Sequence, residues 1–270
     1  MILFLRTISL FVLLLVSFCL PHSKLYADQL MIAVASNFST VMYDLLNDFE
    51  KSDTDTDKAK VVLITGSSGK LYAQIKQGAP FDILLSADQD KPHRLINEGL
   101  AVPNTQFTYA IGSLVLWSAN QKLIKANEEV LLKGVFNKIA LANSKLAPYG
   151  LAAEQVLTKL GLEQTTRVNW VQGENISQTY QFVASGNADL GFVAKSQVWG
   201  KNRLINGSVW LIPAHFYDPI KQDAVLLKKT KNIQLAKKMM SFLQSKAVQD
   251  KIEKYGYQPN VEPINYIQGR

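Results

Sequence analysis

The hydrophobic pattern of the chain alternates between short apolar runs and segments with helical spacing. The first apolar run, QLMIAVAS, begins at Gln29 and leads into a segment where Val41, Leu45 and Phe49 recur every four residues, which predicts a strand followed by an amphipathic helix. The next runs, KVVLITG and FDILLSAD, flank the helical segment SSGKLYAQIKQG, which Gly78 ends. Alternating strands and helices with nearly continuous apolar strands predict a parallel sheet covered by helices on both faces.

A second set of elements begins at the run SLVLWSAN. Apolar strands are predicted at KIALANS, VNWVQG and ADLGFVAKS, with helices at YGLAAEQVLTKLG and ISQTYQFVASG between them. After a further apolar run, DAVLLKK, the spacing in NIQLAKKMMSFLQSKAVQDKIEKYG predicts one long helical stretch. The chain is long enough for one large or two modest α/β domains.

The amino-terminal residues are typical of an exported protein. Arg6 precedes an apolar run over residues 8–20, which is too short to span a bilayer stably. We therefore predict a secretory signal peptide over residues 1–27. Cys19, the single cysteine, is a less favoured lipid-attachment site, because Phe18 stands before it where a small residue is typical.

Composition and charge exclude several classes of site. An exported chain whose single cysteine lies in the leader has no disulfide and no thiolate metal ligand. The formal net charge of +7 favours anionic partners, but no stripe of Lys and Arg with interleaved aromatic residues is present, so we predict no nucleic-acid binding. The alternating Asp53, Asp55 and Asp57 lack the Gly and terminal Glu of an EF-hand, so we predict a solvated loop and no metal-cation site.

Catalytic motifs are also missing from the sequence. His93 and His215 have no nucleophile-elbow motif near them, as a serine hydrolase would have. Lys70 follows a glycine, but Ile64 stands where a phosphate-binding loop needs its first glycine, and Leu71 stands where it needs Ser or Thr. We therefore predict no catalytic residues, no enzyme activity and no cofactor.

Short hydrogen-bond donors recur where predicted helices follow strands. Loops at the carboxyl ends of strands in an α/β sheet converge on one crevice. Each helix start offers unpaired N–H groups and the positive end of a helix dipole, so several of them aimed at one point form an anion site. Taken singly, each position is explained by N-capping, but capping leaves their recurrence after successive strands unexplained. The positions are Ser36, Asn37, Ser67, Ser68, Tyr149, Gly150, Asn175, Ile176 and Ser177.

Four segments resemble the periplasmic molybdate-binding proteins of molybdate ABC importers. They are AVASNFSTVMYDLLNDFEK, GSSGKLYAQIKQGAPFDILLSAD, APYGLAAEQVLTKLG and GENISQTYQFVASGNADLGFVAKS, and the second carries the most specific motif. The resemblance implies an α/β, two-domain periplasmic binding-protein type II fold with the ligand in the interdomain cleft. It also implies that domain 1 comprises residues 28–111 and 224–270, and that domain 2 comprises residues 112–223.

The resemblance further implies a function and a set of anion-binding donors. The implied protein is a periplasmic, monomeric solute-binding protein that captures molybdate, and also tungstate, and delivers it to the membrane permease of an ABC importer. Many relatives carry a tyrosine at the place of Ala194. The resemblance implies that the phenol of Tyr149, in the neighbouring PYG turn, takes the role of that tyrosine here. The donors map onto Ser36, Asn37, Ser68, Tyr149 and the backbone N–H of Ile176.

The residues alone leave the choice of anion open. A site made of donors without a carboxylate favours an oxyanion that is fully deprotonated near pH 7, such as molybdate, tungstate or sulfate. Hydrogen phosphate would bring a proton that finds no acceptor. The preference for molybdate rests on the resemblance, and a binder of another small anion, such as sulfate or a phosphonate, is the alternative.

Overall fold

The computed structural model describes residues 29–52, 60–200 and 203–258. The predicted signal peptide and most of the predicted acidic loop lie outside these ranges. Within them, no helix is both long enough and apolar enough to cross a membrane.

Strands and helices alternate along most of the described residues. The strands are β1 (Gln29–Ala35), β2 (Lys60–Gly66), β3 (Ile83–Leu85), β4 (Phe107–Gly112), β5 (Leu114–Ser118), β6 (Ile139–Ala142), β7 (Trp170–Gly173), β8 (Leu190–Ala194), β9 (Trp199–Gly200), β10 (Arg203–Leu204), β11 (Ser208–Leu211) and β12 (Ile220–Leu226). The α-helices are α1 (Ser39–Ser52), α2 (Ser68–Lys76), α3 (Asp90–Asn97), α4 (Glu129–Lys133), α5 (Pro148–Lys159), α6 (Glu163–Thr166), α7 (Ile176–Ala184), α8 (Lys195–Val198), α9 (Ile233–Gln244) and α10 (Lys246–Lys254). Single 3₁₀ turns lie at Ser36–Phe38, Arg167–Asn169 and Ala214–Phe216.

One half of the molecule, called the first half below, is formed by strands β1 to β4 and β12 together with the helices packed on them. Its five-stranded sheet has the order β2-β1-β3-β12-β4. As predicted, β1, β2 and β3 are parallel. The sheet as a whole is mixed, because β12 runs antiparallel to both of its neighbours. The chain leaves this sheet through β4 and comes back into it through β12, so the two strands run in opposite directions.

Both faces of this sheet are covered by helices, as the apolar strands predict. Leu30, Ile32 and Val34 of β1 are fully buried in the apolar cluster that contains the inner faces of α1, α9 and α10. Ala33 belongs to a separate cluster formed with α2 and α3. Residues of one strand therefore alternate between two cores, which fixes the register of the sheet.

The predicted long carboxyl-terminal helix is two helices, which corrects that prediction. Ser245 adopts an extended conformation, with φ −65° and ψ 144°, between α9 and α10. The break lets Met239 and Leu243 of α9 and Val248 of α10 all bury in the same core. A single straight helix continues its apolar stripe along one line and would carry α10 past the sheet.

The second half contains another mixed sheet, with the order β11-β5-β8-β6-β7. Strands β6, β7 and β8 are parallel, while β5 runs antiparallel to β8 and to β11. Ala153, Val156 and Leu157 of α5 are buried on one face, and Val183 of α7 packs on the other. The two halves are joined through β4 and β12, where Gly112 pairs with Ile220. The two chain connections therefore lie side by side.

Candidate functional site

A small cavity between the two halves brings together all five residues that the sequence places in the site. The space between its lining residues amounts to about 190 Å³, part of which is open to solvent. Each of the five is buried. The lining residues are Ala35, Ser36, Asn37, Gly66, Ser67, Ser68, Ala87, Ala147, Pro148, Tyr149 and Ile176.

Four helix starts converge on this cavity. Two belong to the first half: the 3₁₀ turn that begins at Ser36 and leads into α1, and α2, which begins at Ser68. The other two are those of α5 at Pro148 and α7 at Ile176 in the second half. The first N–H groups of a helix have no partner within the helix, and the dipole places partial positive charge there. The cavity therefore attracts an anion.

The two serines that follow β2 have different roles. Ser67 is the N-cap of α2, and its hydroxyl accepts a weak hydrogen bond of 3.4 Å from the N–H of Lys70. The hydroxyl oxygen of Ser68 accepts a hydrogen bond of 2.8 Å from the N–H of Ala87. The Ser68 proton is therefore free to be donated to a ligand in the cavity.

The cap of α7 leaves the N–H of Ile176 available. Asn175 Oδ1 accepts hydrogen bonds of 3.0 Å from the N–H groups of both Ser177 and Gln178. Ile176 is the first residue of the helix, so its own N–H has no helical partner. Its carbonyl oxygen accepts a hydrogen bond of 3.1 Å from Gln197 Nε2, which holds the helix start in place.

Ser36 and Asn37 differ in the donors that they offer. Within the described ranges, the Ser36 hydroxyl makes no side-chain hydrogen bond that would compete with a ligand. The Asn37 amide nitrogen donates to Gln222 Oε1 at 2.8 Å and to the Tyr257 hydroxyl at 3.0 Å. Asn37 can therefore offer the cavity its backbone N–H, while its side chain ties the 3₁₀ turn to residues behind the site.

The phenol of Tyr149 lies where the two halves meet. Its oxygen accepts a hydrogen bond of 3.2 Å from Gln222 Nε2. A Cβ atom on Gly112 would lie 2.1 Å from that oxygen, so only glycine leaves room for the phenol there. Burial raises the pKa of Tyr149 well above its usual value, so the hydroxyl remains a neutral donor. Ala194, at the place of the tyrosine in many relatives, is not part of the lining.

The cavity lining contains no acidic or basic side chain. His93 and His215 are exposed and do not line it. Lys70 forms an ion pair of 2.8 Å with Glu174 instead of pointing to a ligand. Among the described residues, no group of His, Cys, Asp and Glu is arranged to hold a metal ion. The lining can therefore bind an anion through neutral donors.

A larger surface depression lies in the second half and has none of these features. Its empty volume is about 990 Å³, and Asn120, Asn137 and Asp189 are among its lining residues. Asp189 Oδ2 already accepts hydrogen bonds of 2.8 Å from the N–H groups of Asn137 and Lys138. We therefore place the functional site in the smaller cavity, where four helix starts converge.

Direct contacts between the halves surround the small cavity. The N–H of Gly69 in α2 donates to the carbonyl oxygen of Leu146 at 2.9 Å. The Ser177 hydroxyl donates to the carbonyl oxygen of Ser36 at 3.1 Å. The Lys70–Glu174 ion pair also joins the two halves. A ligand in the cavity is therefore enclosed by both.

Three buried residues behind the lining were not predicted. Gln222, Ser196 and Tyr257 are hydrogen-bonded to Asn37 or Tyr149. Gln222 and Tyr257 lie outside the predicted motifs, with Gln222 separated from Asn37 by 185 residues, whereas Ser196 is the last residue of the segment GENISQTYQFVASGNADLGFVAKS. A polar residue inside an apolar strand, such as Gln222 in IKQDAVL, is the one sequence signal that could have indicated such a role.

The comparisons with known proteins agree in the class of protein that they find. The sequence profile of a family described as bacterial extracellular solute-binding protein matches residues 30–258. The chain is 45% identical to the molybdate-binding protein ModA of Azotobacter vinelandii over 231 residues, covering 86% of this chain and 90% of that protein. It is 44% identical to ModA of Rhodobacter capsulatus over 231 residues, covering 86% of this chain and 88% of that protein.

Solved structures show the same relation. The periplasmic molybdate-binding protein of Azotobacter vinelandii superposes with a TM-score of 0.81 at 40% sequence identity, covering 86% of this chain and 99% of that chain. The sulfate-binding protein SubI of Mycobacterium tuberculosis shares the fold, with a TM-score of 0.69 at 12% identity over 87% of this chain and 88% of that chain. The chain therefore has the two-domain α/β fold of the periplasmic binding proteins and belongs to the family of bacterial extracellular solute-binding proteins.

Proposed function

We propose that this protein captures molybdate, and also tungstate, and delivers it to the membrane permease of an ABC importer. The observation that carries the proposal is the small cavity of about 190 Å³ on which four helix starts converge. Neutral hydrogen-bond donors line this cavity, and its lining contains no charged side chain. The similarity to molybdate-binding proteins supports molybdate as the anion.

The ligand is bound by hydroxyl and backbone donors from both halves. Ser36, Asn37 and Ser68 bind from the first half, and Tyr149 and Ile176 bind from the second. Hydrogen bonds to a charged group are stronger than those between neutral groups, and the burial of all five residues strengthens them further. The site needs no cofactor, and the protein is a carrier rather than an enzyme.

The remaining features follow from this role. The protein acts as a monomer in the periplasm, where residues 1–27 direct it as a signal peptide. Domain 1 comprises residues 28–111 and 224–270, and domain 2 comprises residues 112–223. The pairing of β4 with β12 supports two chain connections that lie side by side and can bend together.

The choice among anions depends on protonation and size. A lining without a carboxylate gives no acceptor for the proton of hydrogen phosphate, so fully deprotonated dianions are favoured. Tungstate is nearly the same size as molybdate and binds comparably. Sulfate is smaller and makes longer, weaker contacts in the same cavity.

Calorimetric titration of the purified protein with molybdate, tungstate, sulfate and phosphate tests the proposal. We expect tight binding of molybdate and tungstate, weaker binding of sulfate and no measurable binding of phosphate. Sulfate binding more tightly than molybdate would make the alternative, a binder of another oxyanion, the correct function.

A further inference from the structure

Gln222 lies behind the candidate site and is not one of its predicted donors. Its side chain is fully buried in β12, beside the point where the pairing of β12 with β4 changes register. An amide without access to water needs protein partners for its hydrogen-bonding groups. Those partners determine what the residue does.

The two ends of the Gln222 amide face different halves of the molecule. Its oxygen accepts hydrogen bonds from Asn37 Nδ2 at 2.8 Å and from the Tyr109 hydroxyl at 3.1 Å, both in the first half. Its nitrogen donates to the Tyr149 hydroxyl at 3.2 Å, in the second half. The Asn37 amide nitrogen only donates, so the oxygen of Gln222 faces Asn37 and its nitrogen faces the Tyr149 hydroxyl, to which it donates. The Tyr109 hydroxyl shares its proton between Gln222 Oε1 and the carbonyl oxygen of Ser86, both at 3.1 Å.

This direction leaves the Tyr149 proton for the cavity. The phenol oxygen is occupied as an acceptor, and no residue within the described ranges accepts its proton. Gly112 provides the space that this pairing requires, because a Cβ atom there would lie 2.1 Å from the Tyr149 oxygen and 2.7 Å from Gln222 Nε2. The hydrogen bond and the missing side chain are separate observations that place the phenol in one position.

We propose that Gln222 is a positioning residue, which presents the Tyr149 hydroxyl as a donor to the bound oxyanion and links Tyr149 to the Asn37 side of the site. This inference rests on the proposed function. A neutral amide suits the role, because it donates to the phenol without bringing negative charge near the ligand. A carboxylate in its place would accept the Tyr149 proton and repel a dianion.

The first test is molybdate binding by Gln222→Glu, measured by calorimetric titration in two buffers of different ionisation enthalpy. The introduced carboxylate must take up a proton before it can donate to the phenol. We expect affinity at neutral pH to fall by at least about tenfold, with uptake of about one proton per molybdate and partial recovery at mildly acidic pH. The wild-type protein should take up none. Gln121→Glu, the same charge change at an exposed turn, should bind as wild type does.

A double-mutant cycle separates positioning from a general effect on folding. Gln222→Met should weaken molybdate binding, but it should change the affinity by less than about twofold when Tyr149→Phe has already removed the hydroxyl. Equal losses in both backgrounds would mean that Gln222 does not act through Tyr149, and would overturn the inference. Wild-type affinity in Tyr149→Phe alone would overturn it as well, whether or not the Gln222 variants fold.

The wild-type titration distinguishes this inference from the proposed function. A wild-type protein that does not bind molybdate would overturn the proposed function, and the inference with it. A wild-type protein that binds molybdate, together with a Gln222→Glu variant that binds equally well without proton uptake, would overturn the inference alone.

Discussion

Ser68 and Asn37 lie in the same cavity and differ in the atoms that they can offer to a ligand. The Ser68 oxygen accepts from the N–H of Ala87, which leaves its proton free. The side-chain amide nitrogen of Asn37 already donates hydrogen bonds to Gln222 and Tyr257, so it is not available to a ligand. A polar side chain in a binding cavity is therefore a donor only if its protein partners leave the required atom unpaired.

Replacing Ser68 with Ala is expected to weaken molybdate binding by about 1.5–3 kcal/mol, because a hydrogen bond to a charged ligand is lost. The change also leaves the buried N–H of Ala87 without its acceptor, so the free energy of unfolding should fall by about 1–3 kcal/mol. Calorimetric titration and chemical denaturation measure the two effects separately. Ser241→Ala, at an exposed position of α9, is the control. Unchanged affinity in Ser68→Ala would show that Ser68 does not contact the anion.

The lining residues also predict the pH dependence of binding. The lining contains no Asp, Glu, His, Lys or Arg, so between neutral and mildly acidic pH the affinity should follow protonation of the ligand. Burial raises the pKa of the Tyr149 hydroxyl. The hydroxyl therefore stays protonated up to its usual pKa of about 10 and loses its proton only at still higher pH. Titrations over this range should show no step near pH 6.5, the usual pKa of histidine. A clear step there would place His93 or His215 in the site.

At the scale of elements, the site is made by helix starts that come from two sheets. The amino end of α2 contributes Ser68 to the cavity and, one residue later, touches the second half through Gly69. A Cβ atom on Gly69 would lie 3.0 Å from Leu146 Cα and 3.1 Å from the Leu146 carbonyl oxygen. The two halves therefore approach each other closely at a position without a side chain.

Gly69→Ala should weaken binding without lowering stability. Alanine favours helix more than glycine does, by at most about 1 kcal/mol, so the free energy of unfolding without ligand should rise or stay equal. The added methyl group pushes against Leu146 and hinders closure, so molybdate affinity should fall. Denaturation and calorimetric titration measure the two quantities. Gly200→Ala adds a methyl group whose nearest neighbour is at 3.4 Å, and its affinity should stay that of the wild type. A fall in stability of Gly69→Ala together with unchanged affinity would contradict the prediction.

At the scale of the whole molecule, we expect the two halves to open and close around the ligand. The cavity is enclosed by both halves, and the connecting strands β4 and β12 lie side by side. Adjacent connections can bend together without disturbing either core, as in hinge closure. The ion pair between Lys70 and Glu174 is nearly half exposed at both ends, so it should add no more than about 1 kcal/mol to the closed state.

Small-angle scattering should show this motion directly. The radius of gyration should be smaller with molybdate than without it, because the anion bridges donors from both halves. The same protein with chloride at equal ionic strength is the control. Identical curves in both conditions would argue against a ligand enclosed between the halves.

Much of this protein follows from its sequence. The apolar runs predicted β1, β2 and β3 as parallel strands, and the spacing of Val41, Leu45 and Phe49 predicted the inner face of α1. The resemblance to a family of binding proteins was confirmed by the comparisons. These features are local, because a pattern of apolar residues or a motif around a helix start is contained within a few turns of chain.

Other features were decided only by the tertiary structure. The helix α3 was not predicted; its apolar face consists of Pro92, Leu95 and the partly buried Ile96 over about two turns, which is a short pattern to recognise in a sequence. The separation of α9 from α10 at Ser245 depends on both helices packing against one core. Gln222 joins the site through partners that lie 73 and 185 residues away along the chain. A sequence can specify which helix starts carry donors, but which atoms remain free for a ligand depends on contacts between distant segments that form only when the chain folds.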